Sequence, residues 1–373
     1  MRIVLAPDSY KGCLPALLVA RSMALGCADA DPACQTRLAP MADGGEGTAE
    51  VIVAARRGTW VSVPARDPIG RAVAARYGRC GDIAVMEMAA ASGLERMAGA
   101  PLEPLRASSF GAGQLLRHAV AAGCTRVLMG IGGSATNDGG LGLLMALGAR
   151  FLDAAGNPLP PAAASLAQVA AVDFSGMIDL SGVALQVACD VSNPLCGPEG
   201  ATAVYGPQKG VTPEQIPMLD AALAHYASVL EAAWGDVFGD RPGAGAAGGL
   251  GFALYGLGAR LERGSELVAQ AVDLDGALRG ADLVITGEGA TDEQTAYGKA
   301  VQGVARRARA QGVPVVCLSG ALLPGCEALY AEGVSALFAI ADRPLSLEQS
   351  LQEAPALIRR ASANLLRLFR AGR

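Results

Sequence analysis

Short apolar runs recur along the chain, each followed by glycine and acidic residues and then by a segment of helical periodicity. Residues 2–6 (RIVLA) run into Pro7-Asp8-Ser9-Tyr10-Lys11-Gly12 and a helical pattern over 14–30. Thr36-Arg37-Leu38-Ala39 leads to Pro40-Met41-Ala42-Asp43-Gly44-Gly45-Glu46-Gly47-Thr48 and a helix near 48–57. The run 125–131 (TRVLMGI) precedes Gly132-Gly133-Ser134-Ala135-Thr136-Asn137-Asp138-Gly139-Gly140 and a helix to about 148. Residues 183–189 precede Asp190-Val191-Ser192-Asn193-Pro194, and 282–286 (DLVIT) precede Gly287-Glu288-Gly289-Ala290-Thr291-Asp292. Alternation of this kind predicts parallel sheets.

Residues 59–88 break the rhythm. Three strand-like runs, TWVSVPA, RAVAARYG and DIAVMEM, are separated only by Asp67-Pro68-Ile69-Gly70 and Arg79-Cys80-Gly81. Connections so short cannot hold a crossover helix and predict an antiparallel meander. The alternation resumes from 281 and ends in a helix striped by Leu351, Leu357, Ile358, Ala361, Leu365 and Phe369. The expected fold class is α/β: a discontinuous doubly wound parallel-sheet domain from residues 1–58 plus 278–373. A second α/β domain is inserted over 59–277, and the active site is expected in the cleft between the two.

Composition narrows this picture. A chain of 373 residues exceeds what one core usually supports. With 51% apolar and 17% charged residues and a mean hydropathy of +0.33, it is globular rather than disordered. No apolar run is long enough and free enough of glycine and charge to read as a membrane span. The opening MRIVLAPDSYKG has no signal-peptide core, so the cytoplasm is the expected location. Nine scattered cysteines suggest reduced thiols, not a disulfide framework or a zinc site. A net charge of −5 without a basic, aromatic-interleaved stretch argues against nucleic acid as a partner. A homo-oligomer is compatible with the chain.

Two scarcities bear on chemistry. The two histidines, His118 and His225, sit inside helical patterns, so acid–base work falls to carboxylates. Only three of the 30 basic residues are lysine, namely Lys11, Lys209 and Lys299, and each adjoins a glycine. An ammonium is a compact charge suited to reaching an anionic oxygen past bare backbone, and arginine is not its equivalent.

Ligands of open parallel sheets bind outside the carboxyl ends of the strands, where all five acidic glycine loops fall. Glycine bares backbone N–H groups for an anion. Carboxylates beside a phosphate require a cation between them, and Mg²⁺ suits an oxygen-only site. This is the equipment of phosphoryl transfer. The P-loop pattern G-x-x-x-x-G-K-[ST] is absent. Gly243-Ala244-Gly245-Ala246-Ala247-Gly248 matches G-x-G-x-x-G, but Arg241-Pro242 precede it where a dinucleotide site needs a strand. A turn and helix start is the plainer reading.

Several blocks together resemble the bacterial glycerate kinase family, the class forming 2-phosphoglycerate. They are APDSYKG (6–12), PMADGGEGT (40–48), EMAAASGL (87–94), GIGGSATNDGG (130–140), CDVSNPLCGPEGA (189–201), YGPQKG (205–210), PGAGAAGGLG (242–251) and DLVITGEGATDEQTAYGK (282–299). The resemblance implies ATP and Mg²⁺, a glycerate substrate, and two α/β domains facing a cleft. It departs at Ala290, where the family usually carries arginine, and at Cys13, where serine is common. Arg66 and Arg71 are candidates to replace the missing guanidinium.

The expected roles follow. Lys11 and Lys209 lie on anionic oxygens, while Gly132, Gly133, Ser134 and Asn137 cradle phosphate. Two among Asp43, Glu46, Asp138, Asp190 and Glu288 hold Mg²⁺. Asp8 or Asp190 accepts the hydroxyl proton, and Asp292, Gln294 and Lys299 close the cleft, counted with Glu288 among the cofactor-binding residues. The alternatives are a kinase for another small hydroxy acid and a non-catalytic nucleotide- or carboxylate-binding regulator.

Overall fold

A computed structural model describes residues 1–296 and 300–372, which form two compact units. Unit 1 comprises Met1–Asp43, Glu50–Arg56 and Ser265–Arg373; unit 2 comprises Gly44–Ala49 and Arg57–Gly264.

Unit 1 is built on a five-stranded sheet in the order Val334–Ala339, Val315–Ser319, Leu283–Thr286, Arg2–Leu5, Gln35–Leu38. All its pairs are parallel. The inner strands VVCLS and LVIT are buried at every position, as expected where helices cover both faces. The outermost strand QTRL is exposed throughout. The helix Ala16–Ala30 buries Val19, Met23 and Cys27 in one cluster with Leu357, Ile358 and Leu365 of the helix Leu347–Ala371. Gly26 permits the close approach, because a Cβ there would lie 2.1 Å from the Arg359 carbonyl oxygen. Along the final helix Leu366 is buried while Leu351 is exposed, so the core stripe is rotated from the expected one at its first position. A capping box of Ser346 and Gln349 starts that helix.

Unit 2 holds a six-stranded sheet in the order Arg260–Glu262, Ala184–Ala188, Arg126–Gly130, Ile83–Glu87, Ala72–Cys80, Thr59–Arg66. The first four strands are parallel and the last two antiparallel. The meander over 59–88 is therefore present. Asp67 organises its first turn by accepting from the amides of Ile69 at 3.0 Å and Arg71 at 2.8 Å.

The division differs from the expected one at three places, the smallest being residues 57 and 58, which fall in unit 2. Residues 44–49 belong to unit 2, where the Ala49 amide donates to Glu87 Oε1 at 2.8 Å. The return to unit 1 comes at 265, not 278. Residues 265–277 are tied there by Arg307, which forks between Glu266 and Asp275, and by buried Leu267, Val268 and Leu274. Among the described residues no helix is long and apolar enough to cross a membrane.

Candidate functional site

In unit 1 the strands Leu283–Thr286, Arg2–Leu5 and Gln35–Leu38 lie side by side and parallel. The loops at their carboxyl ends therefore meet. The Asp8 amide donates to the Gly287 carbonyl at 2.8 Å and the Met41 amide to the Pro7 carbonyl at 2.8 Å. Asp8, Asp43 and Glu288 are thereby gathered at one sheet edge.

Asp8 is only 9% exposed, and one of its oxygens accepts the Ser9 amide at 2.6 Å. Burial, with Asp43 and then Glu288 adding repulsion, pushes its carboxyl up to about 7, against the opposing pull of the Ser9 N–H and Lys11. Lys11 projects into solvent with its Nζ 3.5 Å from Asp43 Oδ2, and that carboxylate holds the ammonium above its ordinary value.

Glu288 is set by hydroxyls. Thr295 Oγ1 donates to Glu288 Oε1 at 2.6 Å, and Thr291 Oγ1 lies 3.4 Å from the same oxygen and 2.7 Å from Ser319 Oγ. Asp292 accepts from the Thr295 amide at 3.1 Å, folding the loop on itself. Gln294 is exposed. Lys299 lies outside the described residues. Ala290 is exposed and pairs with Ala321.

In unit 2 the loop 130–140 and the segment after 188 leave adjacent parallel strands. Gly132 and Gly133 are exposed, whereas Ser134 to Asp138 are buried. Asn137 spends its amide on Thr202 Oγ1 at 2.9 Å. Lys209 does not reach outward as expected. It is 2% exposed, and its Nζ donates to Ser134 Oγ at 2.8 Å and to the Thr136 carbonyl at 2.8 Å. Burial lowers its ammonium to about 7, with Asp138 pulling weakly the other way.

Asp138 requires a correction. Its carboxylate is wholly buried and accepts from the Ser109 amide at 2.7 Å and hydroxyl at 2.9 Å, and from the amides of Gly140 at 3.2 Å and Gly142 at 3.1 Å. Those bonds knit the start of helix Phe110–Ala121 to that of Leu141–Leu147, so the carboxylate is engaged in holding the two helix starts together inside the unit. Behind the loop, Ala247, Gly248 and Gly249 form a left-handed turn. The Gly248 carbonyl accepts the Gly139 amide at 2.9 Å, and a Cβ on Gly248 would fall 1.9 Å from the Thr136 oxygen. The G-x-G-x-x-G stretch thus buttresses the loop from within.

Glu46 is exposed, and Asp190 is exposed with one oxygen accepting the Gly264 amide at 2.9 Å. Arg71 is committed to Asp67 and to the Arg96 carbonyl, and Arg66 to the Gly70 carbonyl at 2.9 Å. Both guanidiniums therefore serve the meander turn. Sequence reasoning missed Ser109, Thr202, Thr291, Thr295 and Ser319. A hydroxyl one residue before an apolar helical run, as at Ser109, was the available signal.

The model of the glycerate kinase family matches residues 3–370. The chain is 44% identical to glycerate kinase of Bacillus subtilis over 98% of its length and 97% of that protein. It is 42% identical to glycerate 2-kinase of Escherichia coli, covering 98% and 97%. The crystal structure of putative glycerate kinase 2 from Salmonella typhimurium superposes with a TM-score of 0.91 at 46% identity, covering 100% of this chain and 99% of that one. With the parallel sheet of unit 1, the mixed sheet of unit 2, their acidic and glycine-rich strand ends, and these full-length matches in hand, the chain belongs to the glycerate kinase family.

Proposed function

We propose that this kinase transfers the γ-phosphoryl group of ATP to a hydroxyl of glycerate, with Mg²⁺ as the accompanying cation and 2-phosphoglycerate as the product. The observation that carries the reading is the cluster of Asp8, Asp43 and Glu288 beside Lys11, in which mutual repulsion and burial hold one carboxyl near neutral titration. A cation relieves such crowding. Mg²⁺ takes one or two carboxylates and completes its shell from phosphate oxygens and water. Among the described residues no three His, Cys, Asp or Glu side chains form a metal cage, and Mg²⁺ does not need one. Asp43 and Glu288 fit as its ligands, Glu288 with its oxygen oriented by Thr295. When bound, the ion would withdraw charge from the phosphate oxygens.

The chain's own groups do the rest. Asp8, largely buried beside Asp43 and Glu288, is the group we assign to accept the hydroxyl proton, a step that asks little of its base when transfer is loose. Lys11, charged and exposed, is free to swing onto a phosphate oxygen. The bare backbone at Gly132 and Gly133 suits an anionic group. Phosphoryl transfer demands positioning and neutralisation more than covalent participation, and these groups supply both. The 2-position is favoured by the named activity of the Escherichia coli relative. All nine cysteines are free thiols, which suits the reducing cytoplasm.

The test is ADP release from D-glycerate and MgATP, with the product identified by phosphorus NMR. A 2-phosphoglycerate signal is expected. Turnover only with another hydroxy acid, or none at all, overturns the reading.

A further inference from the structure

The Lys209 amine is buried, and its hydrogen bonds go only to neutral groups. Its two partners, Ser134 Oγ and the Thr136 carbonyl, are neutral, and both belong to the loop 130–140. The one charged group acting on it, Asp138, has both carboxylate oxygens bound by Ser109 and by the Gly140 and Gly142 amides. The Tyr226 phenol, which faces Asp138, is fully buried and held far above its ordinary value, so it stays neutral. In the same stretch Thr136 Oγ1 and Asn137 Oδ1 are buried with no hydrogen-bond partner. An isolated ammonium and two orphaned oxygens are expensive to keep out of water. Just before them, Gly132 and Gly133 leave the loop's backbone open to solvent.

We propose that Lys209 is the positioning residue of this loop, holding Ser134 and the Thr136 carbonyl in the form that receives an anionic oxygen and supplying the positive field that an anion there requires. The proposal rests on the phosphoryl-transfer reading, and the anion is either a phosphate of the nucleotide or the carboxylate of glycerate. Lysine acts through the loop and not by touching the anion. Polarising the Thr136 carbonyl strengthens the next amide as a donor, and the buried charge meets little screening on its way to the surface. Anion binding should in turn draw a proton onto Lys209, since an arriving negative charge stabilises the ammonium further.

Two measurements decide this. In wild-type enzyme, calorimetry of glycerate alone and of ADP alone, each at pH 8 in two buffers of different ionisation enthalpy and without divalent metal, should show uptake approaching one proton for one of the two ligands. Lys209→Met, which keeps the buried stem, should abolish that uptake and raise the KM for the same ligand's substrate roughly tenfold or more. In the wild type that KM should climb above pH 7 by up to about tenfold per pH unit, and in K209M it should be flat. The substrate affected tells nucleotide phosphate from glycerate carboxylate. A purely structural lysine would lower the unfolding midpoint of K209M while leaving proton uptake, both KM values and their pH dependence unchanged, and that result overturns the proposal. If K209M does not fold, absence of proton uptake in the wild type for both ligands overturns it equally. Failure of the wild type to release ADP from glycerate and MgATP overturns the underlying reading instead, because the calorimetric arm needs no turnover.

Discussion

The two units carry opposite electrostatic faults. Unit 1 crowds three carboxylates at adjoining strand ends, one of them buried, with a single exposed lysine beside them. Unit 2 seals an ammonium behind a glycine loop with only neutral partners. The first gathers negative charge at the strand ends and the second buries an ionisable amine among neutral groups. Neither is what folding alone would select, since burial penalises the charged form of both. The contrast teaches that lysine's environment, and not its presence, sets its role. Lys11 is exposed and held above its ordinary value by Asp43; Lys209 is buried and lowered to about 7.

The contrast breaks most severely at Asp8. Asp8→Asn removes the proposed proton acceptor and should lower kcat for ADP release by about 10²-fold or more. Asp190→Asn provides the control in unit 2. A loss of similar size would transfer the base role to Asp190, whereas near-normal turnover leaves it with Asp8.

A second pair of predictions concerns stability. The folded Asp8 carboxyl titrates near 7 and the unfolded one near 3.8. The native state therefore binds more protons between those values, and this group's contribution is full below pH 3.8 and lost as pH rises through 7. Lys209 titrates near 7 folded and near 10.5 unfolded. The unfolded state binds more protons in that window, so its contribution improves as pH rises from 7 towards 10.5. Subtracting wild-type urea midpoints from those of D8N between pH 4.5 and 7, and from those of K209M between pH 7 and 9.5, should give slopes of opposite sign. Equal slopes would refute the contrast.

Asp138→Asn should destabilise by about 1–3 kcal/mol, since an amide cannot accept on both sides from Ser109, Gly140 and Gly142. Its effect belongs in the urea midpoint, and a change confined to Mg²⁺ dependence would restore Asp138 as a ligand. Thr295→Val should cost several-fold in kcat by releasing Glu288, with Thr295→Ser restoring most of it. Lys11→Arg is the mildest: a solvated charge tolerates the change within about threefold, and a larger loss would show that the compact ammonium itself is required.

The strand-end loops and the meander were legible because their signals are local. Apolar runs ending in glycine and acid, and turns too short for a helix, need no knowledge of the rest of the chain. The gathering of Asp8, Asp43 and Glu288 follows from strand order, which sequence pattern does not fix. Asp138 looked like a metal ligand because an Asn-Asp-Gly-Gly loop has the right composition; only packing reveals that Ser109, nearly thirty residues earlier, consumes it. Lys209 misled for the same reason, its glycine neighbour suggesting reach while the fold gave it depth. The return to unit 1 at 265 was hidden because no break in helical pattern marks it, and Arg307 draws Glu266 and Asp275 into place from a distant helix.

The pairing of Ile3 with Leu283 imposes an order on biosynthesis. The amino-terminal strand leaves the ribosome some 280 residues before its central neighbour exists, while every strand of unit 2 has by then emerged. Unit 2 is free to fold during translation. The nascent first strand, apolar and unpaired along one side, must wait for the carboxyl-terminal third of the chain, so a stalled or truncated product exposes an aggregation-prone edge that the finished enzyme never shows.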